Sequence, residues 1–160
     1  MKHTCPKRRR IAKLCLSLLS AWTVLGGITW AHVTVSPDIS VTGKRETYSF
    51  RVPNEKESTR TVKVEVMIPS GLDRIYFESI PGWKLTLDKD NSGQVIRATW
   101  TGGSVGPWEY VIFRCMVRNP QASSKLVWKT VQYYADGSKD EWTGEQGSRR
   151  PAPTTTVASP

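Results

Sequence analysis

Few side chains in this sequence have types that could do chemistry. It holds two histidines, His3 and His32, and three cysteines, Cys5, Cys15 and Cys115. His32 stands out by position, because it follows Thr29-Trp30-Ala31, with a small residue at −1 and a modest one at −3 of an export cut. A cut after Ala31 would make His32 the first residue and give it two nitrogen donors, the α-amine and ring Nδ1. Together these can chelate one ion without any folded scaffold. Nitrogen donors of this kind favour late divalent ions, with Cu²⁺ at the top of the affinity order. Before the cut the same backbone nitrogen is an amide and cannot serve, so export would switch the site on. Some residue must follow every cleavage site, however, and histidine does so by chance about once in forty to fifty cases. The residues alone leave a solvated histidine and a copper ligand both open.

Counting removes several competing sites. A blue-copper centre needs two histidines and a cysteine, and one histidine remains after the cut. A copper brace of the polysaccharide-oxidising kind needs a second histidine, and a zinc site of Cys and His ligands fails on the same count. Further ligands must then be carboxylates, carbonyls or water. Cys115 is left unpaired once Cys5 and Cys15 depart, so no internal disulfide can form, and it reads as a small buried hydrophobe. There is no nucleophile with a base and no acid–base pair, so the chain is not expected to be an enzyme.

The segment ahead of His32 has the parts of a secretory signal. Residues 1–31 hold six bases and no acids, and Leu14 to Trp30 is an apolar run without a charge. The alternative is an uncleaved anchor, since a spanning helix needs at least about 17 apolar residues. The Lys7-Arg8-Arg9-Arg10 run also loosely resembles a twin-arginine signal. The net charge of +9 comes from 23 bases against 14 acids. Removing the leader's six bases leaves 23 − 6 = 17 against 14, or +3. A nearly balanced body argues against a nucleic-acid partner.

From Val33 on, the sequence reads as short strands that must position any site. Residues 48–52, 61–68 and 111–118 alternate with period two, and further strands are expected at 33–41, 83–88, 94–100 and 125–134. Turn signals separate them, among them Pro53-Asn54, Pro81-Gly82, Gly102-Gly103 and Asp136-Gly137. No helical periodicity follows Ala31. The expectation is an all-β fold, one sandwich of roughly seven to nine antiparallel strands, with a signal peptide at 1–31 and the domain at 32–146. Residues 147–160, rich in Pro and Thr, read as a disordered tail. No second apolar run follows, so no C-terminal membrane anchor is expected.

Several short motifs then recur in a known order. Ala31-His32-Val33-Thr34-Val35-Ser36-Pro37 is followed by Val52-Pro53-Asn54-Glu55, Pro81-Gly82-Trp83 and Thr99-Trp100-Thr101-Gly102-Gly103. Val131-Gln132-Tyr133-Tyr134-Ala135-Asp136-Gly137 and Trp142 complete the series. In this the chain resembles the YcnI-like family of exported bacterial copper-binding domains, from His32 to Trp142. The resemblance implies a β-sandwich of immunoglobulin- or cupredoxin-like kind. It also implies Cu(II) held in a single-histidine brace: amine and Nδ1 from His32, a carboxylate from Glu55, and Trp142 beside the metal. It further implies a copper transporter or chaperone as partner in the envelope. Trp108-Glu109-Tyr110 departs from the Gly-rich wording of the family, without touching these ligands.

Read without the resemblance, Glu55 is better explained as a solvated loop charge, and Glu46, Asp38 and Glu141 are alternative carboxylates. Trp142 could equally be a packing residue. The rival function is a metal-free adhesion or scaffold module of the cell envelope. Copper binding must displace protons from both nitrogens, so affinity is expected to fall steeply below about pH 6.5. The location expected is periplasmic, cell-surface or secreted.

Overall fold

The structure, a computed structural model, describes residues 32–160. The expected leader, residues 1–31, lies outside the described residues. Among the described residues every regular element is a strand, in the order β1 (Thr34–Ser36), β2 (Ile39–Val41), β3 (Arg45–Pro53), β4 (Thr61–Met67), β5 (Asp73–Phe77) and β6 (Lys84–Lys89). Then come β7 (Val95–Val105), β8 (Tyr110–Arg118), β9 (Ser124–Val127), β10 (Thr130–Tyr134), β11 (Lys139–Trp142) and β12 (Thr154–Ala158).

Two larger sheets form the sandwich. One has the order β1-β3-β8-β5 and the other β11-β10-β4-β7-β6. A third, small sheet, β2-β12-β9, closes one side. All pairings are antiparallel except β12 with β2. Alternation decides which residues face inward. On β3, Tyr48, Phe50 and Val52 are buried, and on β8 they are matched by Phe113, Cys115 and Val117. The register sets Tyr48 against Cys115 and Phe50 against Phe113. Val64, Val66 and Trp100 answer from the other sheet within the same core, where Trp100 lies 4.5 Å from Phe113, centroid to centroid. Gly103 has a packing reason: a Cβ there would fall 2.0 Å from the Trp83 indole.

The two sheets of the sandwich hold nine strands, within the seven to nine expected, and the small third sheet brings the described strands to twelve. Two expected strands are each broken where the chain changes sheets. The stretch 33–41 breaks at Pro37, which has no N–H to donate, so β1 joins β3 while β2 joins β12. The stretch 125–134 breaks at Trp128-Lys129, so β9 joins β12 while β10 joins β4.

The disordered tail expected at 147–160 is a correction: Thr154–Ala158 is strand β12, seated between β2 and β9. Val157, at 1% exposure, belongs to the core. The Trp128 backbone N–H donates to the Pro153 carbonyl at 2.8 Å, and the Trp128 indole N–H to Thr155 Oγ1 at 3.3 Å. Thr155 Oγ1 in turn donates to the Pro37 carbonyl. Threonine and valine are β-branched and suit a pleated strand, so the composition that suggested disorder also fitted an added strand.

Candidate metal centre

His32 is placed by the strand it precedes. Val33, 2% exposed, anchors the start of β1 in the core. The β1–β3 register pairs Thr34 with Arg51 and Val35 with Phe50. Each pair sums to 85, so the same register continued sets His32 level with 85 − 32, which is Pro53. Glu55 follows Pro53 by two residues. His32 and Glu55 therefore lie at one end of the four-stranded sheet, where strand and loop meet.

The loop carrying Glu55 is fixed by its neighbour Asn54, which is buried. Asn54 Nδ2 donates to the carbonyls of Thr59 and Val105, at 2.8 and 3.0 Å, and Asn54 Oδ1 accepts from the Lys56 amide at 3.0 Å. The Asn54 N–H also donates to the Glu109 carbonyl at 2.9 Å. The Pro-Asn-Glu order is thus physical: Pro53 ends the strand, Asn54 locks the turn, and Glu55 is half-buried beyond it.

Trp142, the last residue of β11, is 3% exposed and touches His32. Their rings meet edge to face, centroids 5.4 Å apart. The indole Nε1–H donates to Gln132 Oε1 at 3.4 Å. Trp142 also lines a cavity of about 350 Å³ with Pro53, Glu55, Lys56, Tyr134, Asp140 and Arg150. There the Tyr134 hydroxyl donates to Asp140 Oδ2 at 2.8 Å, and Arg150 pairs with the other oxygen at 2.5 Å. Burial first, then the bond to Asp140, hold the Tyr134 phenol far above its ordinary range, so it stays protonated.

The His32 ring has a second partner. Nε2 lies 3.3 Å from the carbonyl oxygen of Arg149. That carbonyl belongs to the 143–153 connection, which is itself held by paired bonds between Gly144 and its partners Arg150 and Ala152. A carbonyl oxygen only accepts, so Nε2 is the donor in this contact, and in the neutral tautomer that fits it the lone pair is on Nδ1.

Of the expected site residues, His32 and Trp142 are in contact, and Glu55 shares a cavity wall with Trp142. Among the alternative carboxylates, Asp38 lines a separate cavity with His32, Gln146 and Pro151. Glu46 sits at the far end of β3, bonded to Ser40 and Lys44. Glu141 is exposed and paired with Lys139 at 2.5 Å. Cys115 is no ligand: it is buried, and burial pushes its thiol up to about 12. Among the described residues no three His, Cys, Asp or Glu side chains cluster. A site of one imidazole, one carboxylate and an amine needs only two such side chains, so the donor set fits the chemistry of the brace. Asn54 and Gln132 went unassigned in the sequence. Their signal is a polar amide beside strand residues on a buried face.

Comparison with known proteins gives a consistent picture. Residues 32–157 match the family described as Domain of unknown function (DUF1775). Over 148 residues, 91% of this chain and 72% of the other, the chain is 33% identical to the copper-binding protein CutI of Bacillus subtilis. A protein of Nocardia farcinica with an immunoglobulin-like fold superposes with a TM-score of 0.70 at 28% identity, over 80% of this chain and 99% of that one. A cohesin module from Clostridium perfringens shares the fold at a TM-score of 0.53 and 11% identity, over 81% of this chain and 97% of that one.

Proposed function

The chain belongs to the DUF1775 family, the YcnI-like family its motifs resemble, and we propose that it is an exported Cu(II)-binding domain that buffers copper or hands it on. A relative that is 33% identical is named a copper-binding protein, which supports copper as the ion bound. The finer reading is a brace formed after signal cleavage, with the His32 amine, His32 Nδ1 and the Glu55 carboxylate as donors.

One observation carries it: the Arg149 carbonyl accepts from His32 Nε2–H. Metal-binding histidines commonly give their outer N–H to a carbonyl or carboxylate, which fixes tautomer and ring orientation. Here that bond leaves free the one ring nitrogen that can close a chelate with its own residue's amine. Trp142 walls the ring on another side. The family match begins at His32, in keeping with a cut after Ala31.

Each donor has a stated task in this reading. The two nitrogens of His32 supply tetragonal nitrogen ligation of the kind Cu²⁺ prefers, and Glu55 offsets one unit of its charge. The cavity beside Glu55 gives a partner's ligand room to approach, which suits transfer to an envelope transporter or chaperone. The role is binding, not turnover.

The test is a Cu²⁺ titration followed by electron paramagnetic resonance, comparing protein that begins at His32 with protein carrying one glycine ahead of it. One copper held tightly in a nitrogen-rich tetragonal site, and lost on adding the glycine, is the expected result. If both bind alike, the brace is wrong and copper sits at another site; if neither binds, the metal-free envelope module takes its place.

A further inference from the structure

Gln132 is the fully buried amide of β10, at 0% exposure, between Val131 and Tyr133. Its hydrogen bonds run in an unusual direction. Nε2 donates to Thr61 Oγ1 at 2.7 Å, on the neighbouring strand β4. Nε2 also donates to the Pro53 carbonyl at 2.8 Å, and Pro53 lies on β3 in the opposite sheet. Oε1 accepts from the Trp142 indole at 3.4 Å. One side chain therefore ties a residue that touches His32 to the residue that precedes the Glu55 loop and stands level with His32 in the register.

The amide satisfies the Pro53 carbonyl and the Trp142 indole N–H, both of which an apolar side chain of similar volume would leave unpaired. Its partners show what the amide adds. His32 and Glu55 come from the four-stranded sheet, and Trp142 from the five-stranded one. The site thus straddles the gap between two sheets whose core contacts are apolar and non-directional. A directional tie across that gap fixes the spacing. We propose that Gln132 is the positioning residue of the metal centre, holding the Trp142 indole and the Pro53–Glu55 turn in one arrangement on either side of His32; this rests on the copper reading above.

The test uses the chain from His32 onward, which contains every described strand. Gln132→Met keeps the volume and removes all three bonds. Thr61→Val removes one bond of the same amide but reaches neither Trp142 nor Pro53. Loss of an outer-shell partner typically weakens metal affinity 10–100-fold, so Gln132→Met should lower Cu²⁺ affinity by about tenfold or more, while Thr61→Val stays within about twofold of wild type. A purely structural amide would move both variants alike.

A metal-free readout separates this proposal from the copper reading. In amide NMR spectra of the apo protein, Trp142→Phe removes the indole donor, and it should shift both the Gln132 side-chain amide and the Glu55 backbone amide. The Glu55 shift should vanish in the Gln132→Met background. If wild type binds no copper, the copper reading falls, and the apo shifts still decide the role of Gln132. Should Gln132→Met fail to fold, Gln132→Glu, which keeps the volume and an acceptor for Trp142 but loses the Nε2 donor to Pro53, takes its place as the background, and a Glu55 shift that persists there overturns the proposal. A Glu55 amide indifferent to Trp142→Phe, or full copper affinity in folded Gln132→Met, overturns the proposal.

Discussion

The ring of His32 and the indole of Trp142 meet edge to face, with centroids 5.4 Å apart and planes at 77°. One stands just ahead of β1, the other at the end of β11, and only the closed sandwich joins them. Edge-to-face pairs contribute about 0.5–1.5 kcal/mol beyond area burial, so the contact steers the imidazole as well as covering it. The indole is itself held by Gln132, and the outer imidazole nitrogen by Arg149. His32 is thereby constrained on two sides before any ion arrives.

Trp142 should accordingly separate packing from copper binding. Trp142→Ala removes a core side chain and should cost about 3–5 kcal/mol in urea denaturation. Trp142→Phe keeps an aromatic wall and should cost under about 2 kcal/mol. Five tryptophans follow His32 in the sequence, and Cu²⁺ should quench the indole nearest to it. Quenching on titration should shrink in the Phe variant, and equal quenching in both proteins would place the ion away from Trp142.

Glu55→Gln should weaken Cu²⁺ binding by about tenfold while the strand signature in circular dichroism stays native. Asp38 is the informative comparison, because it lines a cavity with His32. Asp38→Asn, Glu46→Gln and Glu141→Gln should each leave affinity unchanged. Loss of affinity in Asp38→Asn with none in Glu55→Gln would move the carboxylate to the other face of His32.

Much of this architecture was legible in the sequence, for a physical reason. Strands β3 and β8 alternate, so Tyr48, Phe50 and Val52, or Phe113, Cys115 and Val117, declare one buried face each, whereas β4 and β10 bury consecutive residues, Glu65 and Gln132 among them. Edge strands lack that signal. β11 is Lys139-Asp140-Glu141-Trp142, with charge at three of four positions, and β5 is mostly exposed. His32 was legible through its place beside a cleavage pattern, which depends on no fold. The setting of the site was not. The bond from Gln132 to Pro53 links residues separated by 79 positions, and that from His32 to Arg149 links residues separated by 117. No local pattern encodes pairings of that range.

β12 offers a direct test of the corrected tail. Val157→Ala removes two buried methyl groups and should cost about 1.5–2.5 kcal/mol in denaturation. Val157→Asp buries an unpaired charge and should cost more than about 4 kcal/mol. Changes within about 0.5 kcal/mol, as for an ordinary surface site, would mean that the segment is not part of the core.

The last prediction concerns pH and a carboxylate away from the site. Glu65 lies in the middle of β4 at 8% exposure, 2.7 Å from Lys63 Nζ and 3.0 Å from the Tyr133 hydroxyl. Burial pushes its carboxyl up, but the bonds from Lys63 and Tyr133, with the charges of Lys63 and Arg97, outweigh burial and hold it below the ordinary 4.5. A carboxyl that is more acidic folded than unfolded adds stability above its unfolded pKa and loses it as pH falls through the folded value. Wild type should therefore lose this increment on acidification below 4.5. Glu65→Gln still accepts from Tyr133 but has no charge to lose. It should be less stable than wild type by about 1 kcal/mol at neutral pH, a modest figure because Lys63 is partly solvated. The two proteins should converge once pH has fallen through the folded pKa of Glu65, where both side chains are neutral. Urea midpoints measured across that range check it: a gap that stays constant with pH would mean that Glu65 acts through its shape and hydrogen bonding, not its charge.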